Sequence, residues 1–388
     1  MRFDLNADEE TLRDAVREFL AREVAGRIAA WETEGHCPVE LGAHMGRNGL
    51  LGIGIPMQFG GSGMGYSALA VLCEELEYVD SALRILVSGH SVQVAQTLLR
   101  WGSADHQQRW LPELAMGRVF GGFVDTSRCA PVDGSVQRMT ATKSARGYLL
   151  SGVAAAVPFV EHVGLWLLLV DVRDGSGGGH VPLLVTRDAP GLAVEVETDV
   201  RGLRCAGIGR LVAENVFVPA EQVLGNPQDV TLVAAFCRER GRFSYAAGCT
   251  GLARAALDAS VAYCHARTAF GQTIGKFELI QQKLAAMVAG IDATRLLTLH
   301  ASDLLDAGRD AGRVTALAAL RGGEVAQRAA DDAVQIHGAY GYSNEFPAER
   351  LMRNARAAAG LAGPVLPDQI AVAAAALAAS ADEADIPR

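Results

Sequence analysis

Histidines, cysteines and glycine-rich turns, the residues that most often carry chemistry, occur in this chain without the spacing of a metal or phosphate site. The nine histidines include no H-E-x-x-H or comparable cluster, so we expect no metal. The loop from Phe59 to Gly65 lacks the G-K-[ST] ending that delivers a lysine to phosphates, which predicts a plain turn. The seven cysteines form no C-x-x-C pair, which favours a reduced, cytoplasmic compartment.

The chain divides into three stretches with different hydrophobic periodicity, and these stretches must position any functional residues. Residues 6–117 show a helical pattern that begins with a capping box, Asn6 followed by Glu9. From about residue 120 to 228 short β-type runs alternate with turns, and after residue 229 long Ala/Leu/Arg-rich segments are again helical. We predict an α+β chain: an N-terminal α-helical domain over 1–118, a barrel-like central β domain over 119–228, and a C-terminal four-helix bundle over 229–388.

Composition limits the classes of partner. Half of the residues are hydrophobic and a fifth are charged, which favours a well-buried protein with an oligomer interface. The formal charge of -9 offers no basic stripe for a nucleic acid. The longest apolar run, Val163 to Val172, is far shorter than the ~20 residues of a membrane span, so we expect no membrane partner.

Motifs along nearly the whole chain resemble the acyl-CoA dehydrogenase family. Leu50 to Pro56, followed by Phe59-Gly60-Gly61-x-Gly63, is similar to its Gly-Leu-Leu-Gly-x-x-x-Pro-x-x-Tyr-Gly-Gly-x-Gly. Residues 267–281 are similar to its Arg-x-x-Phe-Gly-x-x-Ile-x-x-Phe-Gln-x-x-Gln signature. Residues 335–356 are similar to a segment that runs from a Gln-Ile-x-Gly-Gly turn through Glu-Tyr-Pro to Arg-Asp-Ala-Arg. The resemblance implies the family's order of helical region, β region and helical bundle.

The resemblance also implies two positions for a catalytic base, and neither position holds a residue that can accept a proton. The family's Glu, which removes the α-proton of an acyl thioester, corresponds to Ala362. The alternative position, just before Arg242 on the helix that opens the bundle, is Gly241. Glu239 is the remaining candidate, but two positions along a helix turn a side chain by about 200°. Asp125, Asp133 and Glu161 are further acidic residues of this region, and each is more often a solvated loop charge than a base.

The family's FAD site divides into two halves. The half that holds the isoalloxazine ring corresponds to residues 126–133 and 152–159, where the ring-packing Trp is Ala156 and the hydrogen-bonding Thr is Pro158. Each loss would weaken flavin binding by about 1 to 3 kcal/mol. The half that grips the pyrophosphate and adenosine of a neighbouring subunit's FAD corresponds to five residues that are all present: Arg267, Phe270, Gln281, Gln335 and Gly338.

Three interpretations remain open at this stage. The chain is a catalytically degenerate subunit that completes the FAD site of a partner dehydrogenase subunit, or a homo-oligomeric biosynthetic enzyme with a changed reaction in the thioester cleft, or an FAD-dependent dehydrogenase whose base is displaced to a residue such as Glu239. All three imply an acyl thioester of CoA or a carrier protein, and a dimer or tetramer, in the first case with a paralogous subunit. Arg267 and Gln335 could instead serve only to hold a dimer together.

Overall fold

The computed structural model describes residues 4–127, 138–173, 179–226 and 229–384. Asp133 and the rest of 128–133 lie outside the described residues. Helices come first: α1 (Ala7–Glu23), α2 (Ile28–Glu34), α3 (Glu40–Arg47), α4 (Tyr66–Val79), α5 (Ser81–Val87), α6 (Gln96–Trp101) and α7 (Ala104–Ala115). Strands follow: β1 (Gly121–Asp125), β2 (Thr140–Ser144), β3 (Gly147–Val157), β4 (Leu165–Val172), β5 (Gly179–Thr186), β6 (Leu192–Val196) and β7 (Gly209–Pro219).

The last third of the chain is helical again. It comprises α8 (Val230–Ala266), the short strands β8 (Thr268–Ala269) and β9 (Gln272–Thr273), α9 (Glu278–Asp306), α10 (Gly312–His337), α11 (Ala348–Ala362) and α12 (Leu366–Ala384). The predicted order of helices, strands and helices is therefore confirmed. The capping box is also present, because the backbone N–H of Glu9 donates to Asn6 Oδ1 and that of Asn6 donates to Glu9 Oε2, both at 2.9 Å.

The chain divides into two compact units. The first, Met1–Leu20, Tyr66–Arg84 and Arg242–Arg388, is helical, and the second, Ala21–Gly65 and Ile85–Gly241, contains the large sheet. The domain limits 1–118, 119–228 and 229–388 divide the chain by residue pattern and stay a prediction.

In the second unit, the sheet has the strand order β1-β4-β2-β3-β7-β6, with β5 paired to β4. The β1–β4 and β2–β4 pairs are parallel and the others are antiparallel. Leu165 to Val170 of β4 are all buried, as expected for a strand covered on both faces. The residues at the end of β1 and along β3 are those that the sequence comparison placed around a flavin ring.

His90 fixes the start of β1. It is fully buried, its Nε2 lies 3.0 Å from the carbonyl oxygen of Leu114, and the backbone N–H of Gly121 donates to its Nδ1 at 3.1 Å. The ring is therefore neutral, with the proton on Nε2. Burial lowers the pKa of His90 to about 4, against the smaller opposing effect of the Leu114 carbonyl.

In the first unit, α8 lies against α4 with no side chain between the two backbones. A Cβ at Gly248 would lie 1.8 Å from Glu77 Oε2, and one at Gly251 would lie 2.0 Å from the carbonyl oxygen of Glu74. Glu77 and Arg84 form a buried ion pair at 2.5 Å. Burial disfavours the charged form of Arg84, but the carboxylate outweighs it and raises the pKa. The glycines of α8 thus make room for a charge pair.

A second charge network joins α1, α4, α8 and α9. Arg254 contacts Glu75 at 2.6 Å and Glu74 at 2.6 Å, Arg17 contacts Glu75 at 2.9 Å, and Arg295 contacts Glu74 at 2.7 Å. These residues line a cavity of about 520 Å³. Each of these guanidinium groups already faces a carboxylate of the chain. We therefore interpret these arginines as structural residues rather than as binding groups for an anionic ligand.

By length and composition, one helix among the described residues, α9, could cross a membrane, and α11 with Leu366–Leu377 would qualify together across a 64° bend. Core helices of soluble proteins meet the same criteria, so the observation is weak evidence.

The lowered pKa of the buried His90 ring predicts that the stability of the fold depends on pH. In the unfolded chain this histidine gains a proton near pH 6.5, whereas in the folded chain it does so only near 4, so the unfolded state binds more protons between these values. The free energy of unfolding should fall by about 3 kcal/mol on acidification through that window. Urea denaturation of the wild type and of His90→Gln, which keeps a donor and an acceptor, should show a smaller loss in the variant. Equal losses would refute the assignment.

The contact between α8 and α4 predicts that two Gly→Ala substitutions change the stability of the fold by different amounts. Gly248→Ala should destabilise the fold by about 3 kcal/mol, because the new methyl group overlaps the Glu77 carboxylate. Gly360→Ala on α11 is the matched control: nothing lies within 4 Å of its Cβ, so the change should be neutral or stabilising by up to about 1 kcal/mol. Thermal unfolding of the two variants compares them, and similar losses would contradict the packing.

Candidate functional site

The last turn of α8 leads into a small hairpin that presents two of the five predicted FAD-binding residues. The backbone N–H of Arg267 donates to the Tyr263 carbonyl at 2.8 Å, and its own carbonyl accepts from Ile274 at 3.0 Å. Phe270 occupies the turn between β8 and β9 with φ 51°, which is uncommon for a residue with a Cβ. Its ring is 97% exposed. The hairpin therefore projects an aromatic side chain into solvent.

The Arg267 side chain is exposed, and its guanidinium forms no ion pair with any residue of the described ranges. A free guanidinium has a planar fork of N–H donors that fits the oxygens of a phosphate. Gln281, also exposed, donates from its side-chain amide to the carbonyl oxygen of Gly275 at 3.0 Å. Its side-chain carbonyl oxygen is left to accept a hydrogen bond.

The last turn of α10 contains Gln335, and the turn that follows contains Gly338. Gly338 has φ 60° and ψ -133°, a conformation that essentially only glycine adopts, and nothing lies within 4 Å of the place of a Cβ. A ligand can therefore approach this backbone closely. Gln335 is exposed, and its side chain makes no hydrogen bond within the part of the chain that the structure describes.

An aromatic cluster joins the hairpin to the turn. The rings of Tyr263 and His337 stack with centroids 4.3 Å apart and an interplanar angle of 28°. Phe346 packs against both, at 5.3 Å from Tyr263 and 5.2 Å from His337. The cluster couples the end of α8 to the end of α10, so the two groups of predicted residues belong to one surface. We call the surface formed by Arg267, Phe270, Gln281, Gln335 and Gly338 the nucleotide-half surface.

The sequence interpretation overlooked this cluster. It assigned no chemistry to His337, yet that residue lies between Gln335 and Gly338, and Tyr263 precedes Arg267 by one helical turn. An aromatic residue beside each group of predicted ligands was the available signal.

The other half of the predicted flavin site, in the second unit, contains a charge pair. Arg238 Nε donates to Asp125 Oδ2 at 2.8 Å, and its NH2 donates to Ser127 Oγ at 3.1 Å. Ser127 Oγ in turn donates to Asp125 Oδ1 at 2.6 Å. Asp125 is therefore an ion-paired residue at the end of β1. Both of its carboxylate oxygens are engaged in these contacts.

The two positions of the expected ring contacts hold an alanine and a proline. Ala156 has φ 56° and lies at an irregularity of β3 between Ala154 and Val157, with its methyl group exposed. Pro158 has neither a hydroxyl nor a backbone N–H to donate. These two residues therefore supply neither an aromatic ring nor a hydrogen-bond donor.

Neither usual position of the base is available. Ala362 ends α11 and carries only a methyl group. A Cβ at Gly241 would lie 3.0 Å from the side-chain nitrogen of Gln93, which donates to the carbonyl of Cys237 at 3.1 Å. The third candidate, Glu239, forms an ion pair with Arg240. The Glu239 carboxylate is already engaged in this ion pair, so the structure favours none of the three.

Two arginines beside these positions form ion pairs. Arg242 lies 2.6 Å from Asp368 in the first turn of α12, and Arg353 pairs with Glu349 at 2.5 Å. Nε of Arg242 and Oδ1 of Asp368 are close but not aligned as a hydrogen bond, so we regard the contact as an ion pair only.

Comparisons with known proteins agree with this arrangement. Residues 6–118 match the family model of the acyl-CoA dehydrogenase N-terminal domain, and residues 233–375 match that of the C-terminal domain. Glutaryl-CoA dehydrogenase of Desulfococcus multivorans is 33% identical over 361 residues, covering 92% of each chain. The structure of butyryl-CoA dehydrogenase from Megasphaera elsdenii is similar, with a TM-score of 0.90, 27% identity and coverage of 97% of this chain and 100% of that chain. A glutaryl-coenzyme A dehydrogenase in complex with glutaryl-CoA gives a TM-score of 0.89 at 30% identity, covering 97% of each chain.

The surface and the cluster beneath it predict opposite effects for two aromatic substitutions. Tyr263→Ala should destabilise the fold by about 3 kcal/mol, because it removes a buried ring that contacts His337 and Phe346. Phe270→Ala should change stability by less than about 0.5 kcal/mol, because that ring is exposed. Chemical denaturation of the purified chain measures both. A large loss for Phe270→Ala would show that its ring is covered within the folded chain.

Proposed function

Because this chain belongs to the acyl-CoA dehydrogenase family, we propose that it is a subunit that completes the FAD site of a partner dehydrogenase subunit without removing the substrate's proton itself. The family assignment and fold establish an acyl-CoA dehydrogenase-like function on acyl-CoA thioesters. The subunit role is the further step. It implies an assembly with a paralogous dehydrogenase subunit that brings the catalytic Glu and the flavin-ring contacts.

One observation carries the proposal: one half of the predicted FAD site keeps the family's residues, whereas the other half has lost them. The nucleotide-half surface keeps an exposed Arg267, which forms no ion pair with the described residues, and an open Gly338 backbone. The ring half has an exposed methyl group at Ala156 and the Asp125–Arg238 ion pair. Loss of function alone would not preserve a free guanidinium and an accessible glycine backbone on one surface. Use of that surface by a neighbour accounts for both.

The residues of the nucleotide-half surface have defined tasks under this proposal. Arg267 pairs with the pyrophosphate, Gly338 lets the dinucleotide approach the backbone, and Gln335 and Gln281 offer side-chain amides for hydrogen bonds. Phe270 supplies an exposed apolar face. When bound, FAD accepts the hydride from the thioester's β-carbon.

The empty base positions support assignment of the proton step to the partner. Ala362 cannot accept a proton, Gly241 faces Gln93, and Glu239 is held by Arg240. A displaced base at Glu239 is the less favoured alternative for this reason. Under this proposal the partner subunit, not this chain, determines whether the thioester is one of CoA or of a carrier protein.

Co-expression with a paralogous dehydrogenase subunit that carries the family's catalytic Glu tests the role. The co-purified assembly should hold about one FAD per pair of subunits. Arg267→Ala in this chain should weaken FAD retention about 10- to 100-fold, because it removes charge-assisted hydrogen bonds that contribute about 1.5 to 3 kcal/mol. Arg309→Ala, an exposed arginine in the loop after α9, is the matched control and should retain FAD like the wild type. Unchanged retention in Arg267→Ala, or no assembly, would contradict the proposal.

A further inference from the structure

His337 lies at the centre of the aromatic cluster and has one unsatisfied nitrogen. The residue is 2% exposed. Its Nδ1 lies 2.7 Å from the carbonyl oxygen of Ala333, which can only accept, so Nδ1 carries a proton. Nε2 is buried and has no hydrogen-bond partner among the described residues. The geometry therefore fits a neutral imidazole with a bare Nε2 lone pair.

Among the described residues, no side chain packed around His337 is a carboxylate that could stabilise a second proton on the ring. The ring of Tyr263 on α8 lies on one face, and Phe346 and Tyr340 come from the segment after α10. None of these side chains is a carboxylate. On α10 itself, Asp331 pairs with Arg356 of α11.

The other carboxylate in the last turns of α10 is also engaged, because Asp332 pairs with Lys283 of α9. A proton on Nε2 would be a buried charge without an acceptor, which is costly. Burial accordingly lowers the pKa of His337 below 6.5, although the Ala333 carbonyl acts in the opposite direction.

We propose that His337 is a positioning residue whose neutral form holds the end of α10 and the turn that begins at Gly338 against the last turn of α8, and whose protonation releases that turn. This deepens the proposed function, and rests on it only for the nature of the ligand, the diphosphate half of FAD. The turn itself needs no partner to show the effect. The nucleotide-half surface would then exist in its binding geometry only while His337 is neutral.

The direction of the pH effect follows from the lowered pKa. At neutral pH the imidazole is uncharged and the turn is held, and the hold is lost as the pH falls below 6.5 toward the folded pKa. A side chain of similar size that cannot gain a proton would fill the same space without this pH dependence. The inference therefore has a signature that separates it from simple packing.

Hydrogen–deuterium exchange of the full chain is the direct test. Amides of residues 338–342 should exchange at least about fivefold faster at about pH 5.5 than at pH 7.5, after correction for the intrinsic rate. His337→Asn keeps an N–H near the Ala333 carbonyl but cannot gain a proton, so its corrected rates should not depend on pH. His44→Asn, a partly exposed histidine on α3, is the control and should behave like the wild type. His337→Gln serves in the same way if the Asn variant does not fold.

Two outcomes would overturn the inference. One is a pH-independent exchange rate of the turn in the wild type, and the other is the same pH dependence in the wild type and in both His337 variants. Neither depends on whether a partner subunit exists. The inference can thus fail while the proposed function stands, and the reverse.

FAD binding to the co-purified assembly provides a second readout. Its pyrophosphate diester keeps the same charge across this pH range, so a change in affinity reports the protein. Affinity should be about tenfold weaker at pH 5.5 than at 7.5 in the wild type and nearly equal at both values with His337→Asn. Failure of the proposed function would instead appear as an assembly whose FAD content is insensitive to Arg267→Ala at both pH values.

Discussion

The close contact of α8 with α4 is the constraint on which the rest of the first unit depends. Gly248 and Gly251 bring the two backbones together, and the buried Glu77–Arg84 pair occupies the space that a side chain at 248 would need. A buried ion pair is stable only while both partners remain and their geometry is kept. This contact fixes the position of α8 along its length. The last turn of α8, with Tyr263 and Arg267, can then meet the end of α10.

The aromatic cluster converts that position into a surface. Tyr263 stacks on His337, which lies between Gln335 in the last turn of α10 and Gly338 in the turn that follows. This stack joins the end of α10 to the last turn of α8, after which Arg267 leads into the hairpin. The side chains that would touch a dinucleotide are exposed, whereas the side chains that position them are buried. Preorganisation of this kind lowers the ordering cost of binding. In the ring half, Asp125 is paired with Arg238 and the methyl group of Ala156 is exposed.

Much of the fold could be predicted from local sequence patterns, because those patterns reflect local physics. The Asn6–Glu9 capping box, the buried run of β4 and the long helices of the last third all appear as expected. The nucleotide-half residues could be named because they fall in two short motifs, residues 267–281 and 335–338, each contiguous in the sequence. The contacts that decide their geometry join positions far apart in the chain: Arg238 meets Asp125 across 113 residues, and Tyr263 meets His337 between two helices. No periodicity in a single sequence encodes such a pairing.

The central claim is that this chain serves a neighbour's FAD and cannot hold its own. The most direct measurement is the visible absorbance spectrum of the full chain purified after expression alone, with flavin quantified per subunit. The account predicts a colourless protein with essentially no flavin, because the ring half lacks its wall and its donor. A yellow preparation with one flavin per subunit would contradict it.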